Sequence, residues 1–437
     1  RETGCSLTNK SDLYCFIIFA MHKLLSQNGR AGFITSNSWL GTVWGKVFYR
    51  ALNYYFKVEQ IHISGNGRWF NNANVVTVII ILTQKTTIAL PTNLDVTHFY
   101  LWKKSLSEIE IDVTIKDSII HSALLSQNLD ESILKQSSYQ FEHIQNILNL
   151  NVSLNAFFHH IEWLKEISSH LVPITTVFSV SRGERRGWDA MFYPESGHGI
   201  EDIYIKKVLK NARTVHNLTA SPDNDAFCCS DSLETLRNNN MYGAIAWIDK
   251  FQNDVNNLGT PLPEVLAKPN LEWYEMQDTS TAEIVTMMNP DKRLFFAKFS
   301  SPTFINQRLI GFRQNTDYTD IELSHALLNS IIGMFYIEAV GFGRGLGVLD
   351  INKASISKSF MLNPNNVSQK DRDNIIAKFA SLINREIMST EEELDATDRI
   401  EFDNAVLSAF GIESYYGKIK HSLLSMQQAR RSVNSFG

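Results

Sequence analysis

The chain has few cysteines, and none stands at a spacing that would hold zinc. Cys5, Cys15, Cys228 and Cys229 are its four, and the adjacent pair does not suggest a staple, so reduced thiols in a cytoplasmic protein are expected. No apolar run approaches the roughly 20 residues that span a bilayer, which excludes a membrane partner of that kind. The opening Arg1-Glu2-Thr3-Gly4 is neither a signal peptide nor an initiation site, which leads to the expectation of a portion of a longer protein. Excess positive charge is missing too: the formal net charge is −5, so any attraction to nucleic acid must come from local basic patches. His159-His160 has no Cys or carboxylate at a ligand-like distance in sequence, and Asp395, Asp398 and Asp403 lack the lysine and spacing of a metal nuclease. No metal site is expected.

What is present begins with a helix. Leu13, Phe16, Ile17, Ala20, Met21, Leu24 and Leu25 follow the helical period, and Asn28-Gly29 supplies the stop. A strand is predicted over Ala31 to Thr35, a helix over Val43 to Tyr55 and a strand over Val58 to Ser64. The β-branched run Val75 to Leu82, approached from the Gly/Asn-rich loop that carries Trp69 and Phe70, reads as a strand buried on both faces. Helix, strand, helix, strand, strand is the second half of a doubly wound α/β sheet, and such a remnant would leave an apolar edge exposed. From Leu101 to about Ser169 the periodicity predicts a connector of helices.

After Val172-Pro173 the character changes to strands and turns. Val180, Arg182, Gly183 and Gly187 bound a basic turn that also holds Arg185, Arg186 and Trp188. Ala190 to Pro194 reads as a short strand, and Ile203 to Arg213, with Lys206, Lys207 and Lys210, as a short basic helix. Between Lys292 and Gln314, five cations including Arg308 alternate with five phenylalanines and no acid, which in strands sends rings inward and charge outward. A buried helix over Ile331 to Val340 then leads into Gly341-Phe342-Gly343-Arg344-Gly345-Leu346-Gly347, where glycines let the backbone approach another surface, with Lys353 just beyond. The stretch follows a helix and opens none, so it is no dinucleotide fingerprint. Amphipathic helices fill the chain from Ser368 onward.

Ser11-Asp12-Leu13-Tyr14, the Asn28-Gly29-Arg30 turn, Asn37-Ser38-Trp39-Leu40, the Phe70 loop, the Val180 to Gly187 turn, Leu327-Leu328-Asn329-Ser330 with Arg344, and the Asp398 to Val406 phrase form an ordered set. That set resembles the C-terminal half of TaqI-like adenine-specific, amino-methylating DNA methyltransferases of type II restriction-modification systems. The resemblance implies the end of a catalytic domain over residues 1–90, a helical connector over 91–172, an α+β target-recognition domain over 173–360 and a helical region over 361–437. It implies double-stranded DNA as partner, S-adenosylmethionine as the intact enzyme's methyl donor, and Phe70 as a ring that stacks on a flipped adenine. DNA contact is expected from Arg182, Arg185, Arg186, Trp188, Lys206, Lys207, Arg308, Arg344 and Lys353. The family's donor loop and catalytic Asn-Pro-Pro-Tyr would lie upstream, and no such tetrapeptide occurs here. No catalytic residue is therefore expected in this chain, and a missing N-terminal catalytic half is. Two alternatives stay open: a DNA specificity module serving a separate catalytic subunit, and part of a fused restriction endonuclease and methyltransferase.

Overall fold

A computed structural model describes residues 5–7, 9, 11–70, 75–92, 95–104, 131–343 and 347–433. Helix α1 (Leu13–Met21) leads into β1 (Arg30–Ser36), α2 (Val43–Tyr55), β2 (Phe56–Ser64) and β3 (Thr77–Gln84). The side chain of Thr42 accepts from the Gly45 amide and starts α2, whose Phe48, Tyr49 and Leu52 are fully buried. Two further strands, β4 (Val96–Trp102) and β5 (Leu134–Gln140), complete a five-stranded sheet of order β1-β3-β2-β4-β5. The sequence reads Pro91 to Tyr100 as a turn and short strand, which β4 meets; β5 departs from the helices expected after Leu101, because it pairs antiparallel with β4, a partner far away in sequence. A helix, α3 (Phe141–Asn149), follows directly.

β3 lies between β1 and β2, antiparallel to both. Its Val78, Ile80 and Leu82 are fully buried, whereas Ile79 and Ile81 on the opposite face are only half-buried. Burial on both faces is thus met on one face alone. β1 is an edge strand, and beside it α1 turns Leu13 (74% exposed), Phe16 and Ile17 to solvent, with Ile34 of β1 exposed as well. The exposed apolar edge expected from the sequence is there.

The next unit opens with β6 (Leu171–Pro173) and β7 (Phe178–Arg182). β8 (Ile205–Leu209), β9 (Thr219–Ala220), β10 (Asn224–Phe227), β11 (Thr281–Met287), β12 (Ala297–Ile305) and β13 (Leu309–Gln314) join β7 in a seven-stranded sheet. The order is β10-β8-β12-β11-β13-β7, with β9 beside β12. The predicted basic helix at Ile203 to Arg213 is β8 instead: Val208 and Leu209 are buried, and the backbone bonds go to β10 and β12. Ala190 to Pro194 is likewise not a strand, since Asp189–Phe192 forms one helical turn. Phe295, Phe296, Phe299, Phe304 and Phe312 are all buried, as expected of the rings; Phe299, Phe304 and Phe312 lie on β12 and β13, whereas the adjacent Phe295 and Phe296 precede β12 and owe their burial to no strand alternation.

A second, smaller core joins Met191, Phe192, Phe227, Ile248, Leu262 and Tyr274 around α4 (Tyr242–Gln252). The main core runs continuously from the first sheet into the second and on to the C-terminal helices. α5 (Ile321–Leu328) and α6 (Ile331–Val340) meet at a 60° bend. Among the described residues no single helix is long and apolar enough to cross a membrane; this bent pair passes by length and composition, and every residue of α6 is buried in protein. Beyond it come the short pair β14 (Phe342–Gly343) and β15 (Leu349–Asp350), α7 (Lys353–Ile356) and β16 (Phe360–Leu362), which pairs with β6. α8 (Gln369–Ile383), α9 (Thr390–Asp395), α10 (Thr397–Ala409) and α11 (Tyr416–Ser432) close the chain as a helical region.

Candidate nucleic-acid interface

The two units meet at the end of the first sheet where β1 and β2 finish. After β1, the Asn37 amide donates to the Val76 carbonyl (2.9 Å) and Ser38 Oγ lies 2.8 Å from Ser36 Oγ. Trp39 is fully buried against Phe48 at 5.4 Å, so the Asn37 to Leu40 turn is held by its own core contact. Asn37, Ile63 and Ser64 line a cavity of about 80 Å³, closed on the other side by His159, Glu338, Gly341, Leu349 and Arg430. Arg430 of α11 grips Glu338 of α6 through Nε to Oε1 (2.6 Å) and Nη2 to Oε2 (3.0 Å), both side chains almost fully buried, and donates to the Gly347 carbonyl at 2.7 Å. This fork fastens the far end of the glycine-rich stretch to the C-terminal helix. His159 is wholly buried with Nδ1 2.8 Å from Ser425 Oγ, and burial holds its pKa well below the usual histidine range.

The paired Arg430 and Glu338 both line this cavity. The described residues contain no group of three or more His, Cys, Asp or Glu able to hold a metal ion.

Phe70 lies in the loop between β2 and β3. That loop is tied down before it reaches the ring: the Gly65 amide donates to the Trp102 carbonyl (2.8 Å) and the Gly67 amide to Ser432 Oγ of α11 (3.0 Å). The ring itself is 43% exposed, while its neighbour Trp69 is half-buried. An exposed aromatic on an anchored loop is available for contact; a core phenylalanine would not be.

The candidate DNA-contacting residues divide into three sets. Arg182, Arg185 and Arg308 are exposed; Arg182 ends β7 at the edge of the second sheet, and Arg185 follows three residues on, its carbonyl accepting from Lys268 Nζ at 2.9 Å. Arg182 Nε donates to the Gln307 carbonyl (2.9 Å) in the turn between β12 and β13, the turn that carries Arg308. Gly183 explains part of the motif, since a Cβ there would lie 2.1 Å from the Asn306 carbonyl oxygen; only glycine lets the chain pass so close to this turn. The Arg308 carbonyl accepts from Met288 N, and the Met288 carbonyl from Ile351 N, which brings exposed Lys353 into the same neighbourhood. Among the described residues none of these four cations has a carboxylate within ion-pair distance.

Lys206 and Lys207 lie near the opposite edge and are engaged. Lys207 Nζ is 2.6 Å from Asp225 Oδ1, its direct cross-strand neighbour, and Lys206 Nζ is 3.8 Å from Asp278. Lys210 pairs with Asp189 at 3.2 Å and covers the Tyr193 ring.

Arg186 and Trp188 form the third set and face inward. Arg186 is 8% exposed, donates to the carbonyls of Leu266 (3.0 Å) and Trp273 (2.5 Å), and lies over Phe192. Burial pulls its pKa down, with Glu184 and Glu275 opposing. Trp188 is half-buried against the smaller core, with a left-handed backbone of φ 53°. DNA contact is expected of both from the sequence; this part of the turn is held by the loop from Leu266 to Trp273. Arg344 lies outside the described residues. Gly341, three residues before it, packs against its own fold, for a Cβ there would stand 2.3 Å from Leu349 Cδ1.

No family model matches the sequence, and no curated protein matches it. Solved structures do. The type IIL restriction-modification enzyme MmeI in complex with DNA aligns at 14% identity over 98% of this chain and 54% of that one, with a TM-score of 0.51. The type IIG restriction endonuclease BpuSI aligns at 12% identity over 97% and 50%, with a TM-score of 0.45. The chain therefore spans about half the length of both. The first likeness identifies a mixed α/β fold with several sheets and a helical C-terminal region, shared with part of a restriction-modification enzyme.

Proposed function

We propose that this chain is the C-terminal portion of a site-specific adenine DNA methyltransferase of a restriction-modification system, the portion that grips target DNA and helps hold the flipped adenine. The observation that carries the reading is the pairing of two features on one molecule. One is a half-sheet whose β1 edge and α1 face are left apolar and exposed; the other is a recognition-type sheet bordered by three exposed arginines, none with a carboxylate in ion-pair distance among the described residues, the nearby Glu184 being turned to Lys268. The MmeI likeness, to a DNA-bound restriction-modification enzyme about twice as long, supports it. In this reading residues 1–90 end the catalytic domain and 91–172, which add β4 and β5 to its sheet, lead on from it, while 173–360 recognise DNA and 361–437 brace the joint.

The intact enzyme would draw an electrophilic methyl group from S-adenosylmethionine seated by residues outside this chain. The residues here bind and orient. Arg182, Arg185 and Arg308 neutralise backbone phosphates, and Phe70 offers a ring face to the extruded base, restoring roughly 1–3 kcal/mol of lost stacking.

Titration of the 437-residue chain with duplex DNA at several salt concentrations tests the reading. A contact set of about four to six phosphates gives a slope of log affinity against log salt of roughly −4 to −5. Binding that is absent or indifferent to salt overturns it. In the complete enzyme, Phe70→Ala should slow methylation of duplex DNA far more than it lowers the melting temperature; a loss of activity that only tracks unfolding would return Phe70 to the core.

A further inference from the structure

At the joint between the five-stranded unit and the recognition unit, lysines from two distant parts of the chain are brought near one another, and among the described residues none of them has an acid within ion-pair distance. Lys46, in the second turn of α2, has an ammonium that is mostly withdrawn from water. Its partners are neutral and distant: the Leu148 carbonyl at 3.4 Å and Asn151 Oδ1 at 3.3 Å. Asn151 holds a left-handed backbone of φ 60° and donates through Nδ2 to the Ser355 carbonyl of α7 at 2.9 Å. The same carbonyl accepts from the Lys358 amide at 3.3 Å. Two bonded steps therefore link Lys46 to α7, which carries Lys353 at its start and leads directly to Lys358, and both of these side chains are exposed.

Charge on Lys358 adds to burial in depressing the Lys46 pKa to about 8, so the two ammonium groups repel across the joint. The nearest acid in sequence, Asp350, lies 3.3 Å from Asn289 Nδ2. Among the described residues no carboxylate is within ion-pair distance of Lys46, Lys353 or Lys358. In a chain with an excess of acids, cations kept together without one make a place for an external anion. Cations are favoured where an anion offers several acceptor oxygens, as a phosphodiester does. The joint opens beside Arg308, whose carbonyl is two backbone bonds from Ile351 at the head of α7.

We propose that Lys46, Lys353 and Lys358 seat a phosphodiester of the DNA backbone across the joint, so that bound duplex spans both units. The proposal rests on the DNA-binding reading above and adds a contact that the second sheet alone does not provide.

The test uses the full chain, titrated with duplex DNA across salt concentrations as wild type, as Lys46→Met with Lys358→Gln, and as Arg308→Gln. The double variant should flatten the salt slope by about one and weaken all sequences alike, by about five- to tenfold at low salt. Its melting temperature should change little, because the lost Lys46 bonds to Leu148 and Asn151 are long and a repulsion is removed with them. An unchanged slope in the double variant beside a weakened Arg308→Gln overturns the seat and leaves the DNA-binding reading standing; a wild type that binds no DNA removes both. Acetylation of wild-type amines with and without duplex gives an answer even if the variant fails to fold. Lys46 and Lys358 should be protected while Lys207 is not, and equal labelling of Lys46 and Lys358 in free and saturated protein overturns the proposal.

Discussion

At one edge of the seven-stranded sheet, β8 and β10 set Lys207 directly against Asp225; at the opposite edge, β7 and the turn between β12 and β13 bring Arg182 beside Arg308 with no acid in reach. Both regions are rich in cations in the sequence. The difference lies in what the fold places across from them: an aspartate one strand away at the first edge, and a backbone carbonyl at the second. A cation already paired gives little net attraction to phosphate, because its counter-ion must be displaced or carried along. The β7 edge is therefore the face that DNA would meet.

A third kind of cation sharpens this comparison by showing what full commitment costs. Arg399 of α10 is 3% exposed, with Nε 2.8 Å from Asp403 Oδ2, and Asp403 Oδ1 accepts from the Ile331 amide at the start of α6. Burial raises the Asp403 pKa, and the Arg399 charge opposes the rise. Asp403→Asn keeps an acceptor for Ile331 and strands the guanidinium in the core, a loss of about 3–5 kcal/mol. Urea denaturation should show this as the largest effect of any substitution discussed. A loss under about 1 kcal/mol would mean that Arg399 finds another anion or water.

How far the sequence revealed these sets depends on where each residue's partner lies. α2 was legible residue for residue from Val43 to Tyr55, because its cap and apolar face are local. β8 was misread as a helix because its pairing partners, Asn224 to Phe227 and Phe304-Ile305, are distant, and I-Y-I-K-K-V-L-K suits either form. Arg182, Arg185 and Arg308 were found as candidates from their motif and alternation. Nothing local revealed that Arg186, one position on, turns inward to the Trp273 carbonyl. Lys46 and Lys358 had no signal at all, since only the Asn151 to Ser355 bond brings their elements together.

Protonation offers a way to weaken the fold while leaving the arginine edge charged. His62 stacks on Tyr100 at 4.6 Å and takes a hydrogen bond from Trp102 Nε1 at Nδ1 (3.2 Å), which fixes it as neutral; burial pushes its pKa down to about 3. His325 lies 2.8 Å through Nε2 from the Phe296 carbonyl, and burial pushes its pKa down to about 4. In the unfolded chain both titrate near 6.5, so below that pH the unfolded state binds more protons and stability falls as pH falls. At pH 5 each costs about 2 kcal/mol. Denaturation at pH 7.5 and 5 should show His325→Gln losing less between the two than wild type does; parallel losses would exclude His325 from the effect.

Arg308→Gln probes the unpaired edge by itself. Its side chain is exposed, so stability should change by under about 0.5 kcal/mol. The salt slope of duplex binding should become shallower by about 0.9, with every sequence weakened alike if the contact is to phosphate. Weakening confined to one sequence would instead make Arg308 a reader of base edges, worth about 1–3 kcal/mol there.

The smallest effect is expected at the paired edge, and it is the one that most directly tests the contrast. Lys207 is largely exposed although Asp225 is half-buried, so Lys207→Gln, whose amide can still donate to Asp225, should leave both melting and DNA affinity nearly unchanged. The reverse substitution, Asp225→Asn, removes the counter-ion and leaves the lysine free on the same strand. If pairing is what silences this edge, Asp225→Asn should tighten duplex binding at low salt and steepen the slope by at most about 0.9. Should Lys207→Gln weaken binding as much as Arg308→Gln does, ion pairing would not be what separates the two edges, and the DNA face would have to extend across the whole sheet.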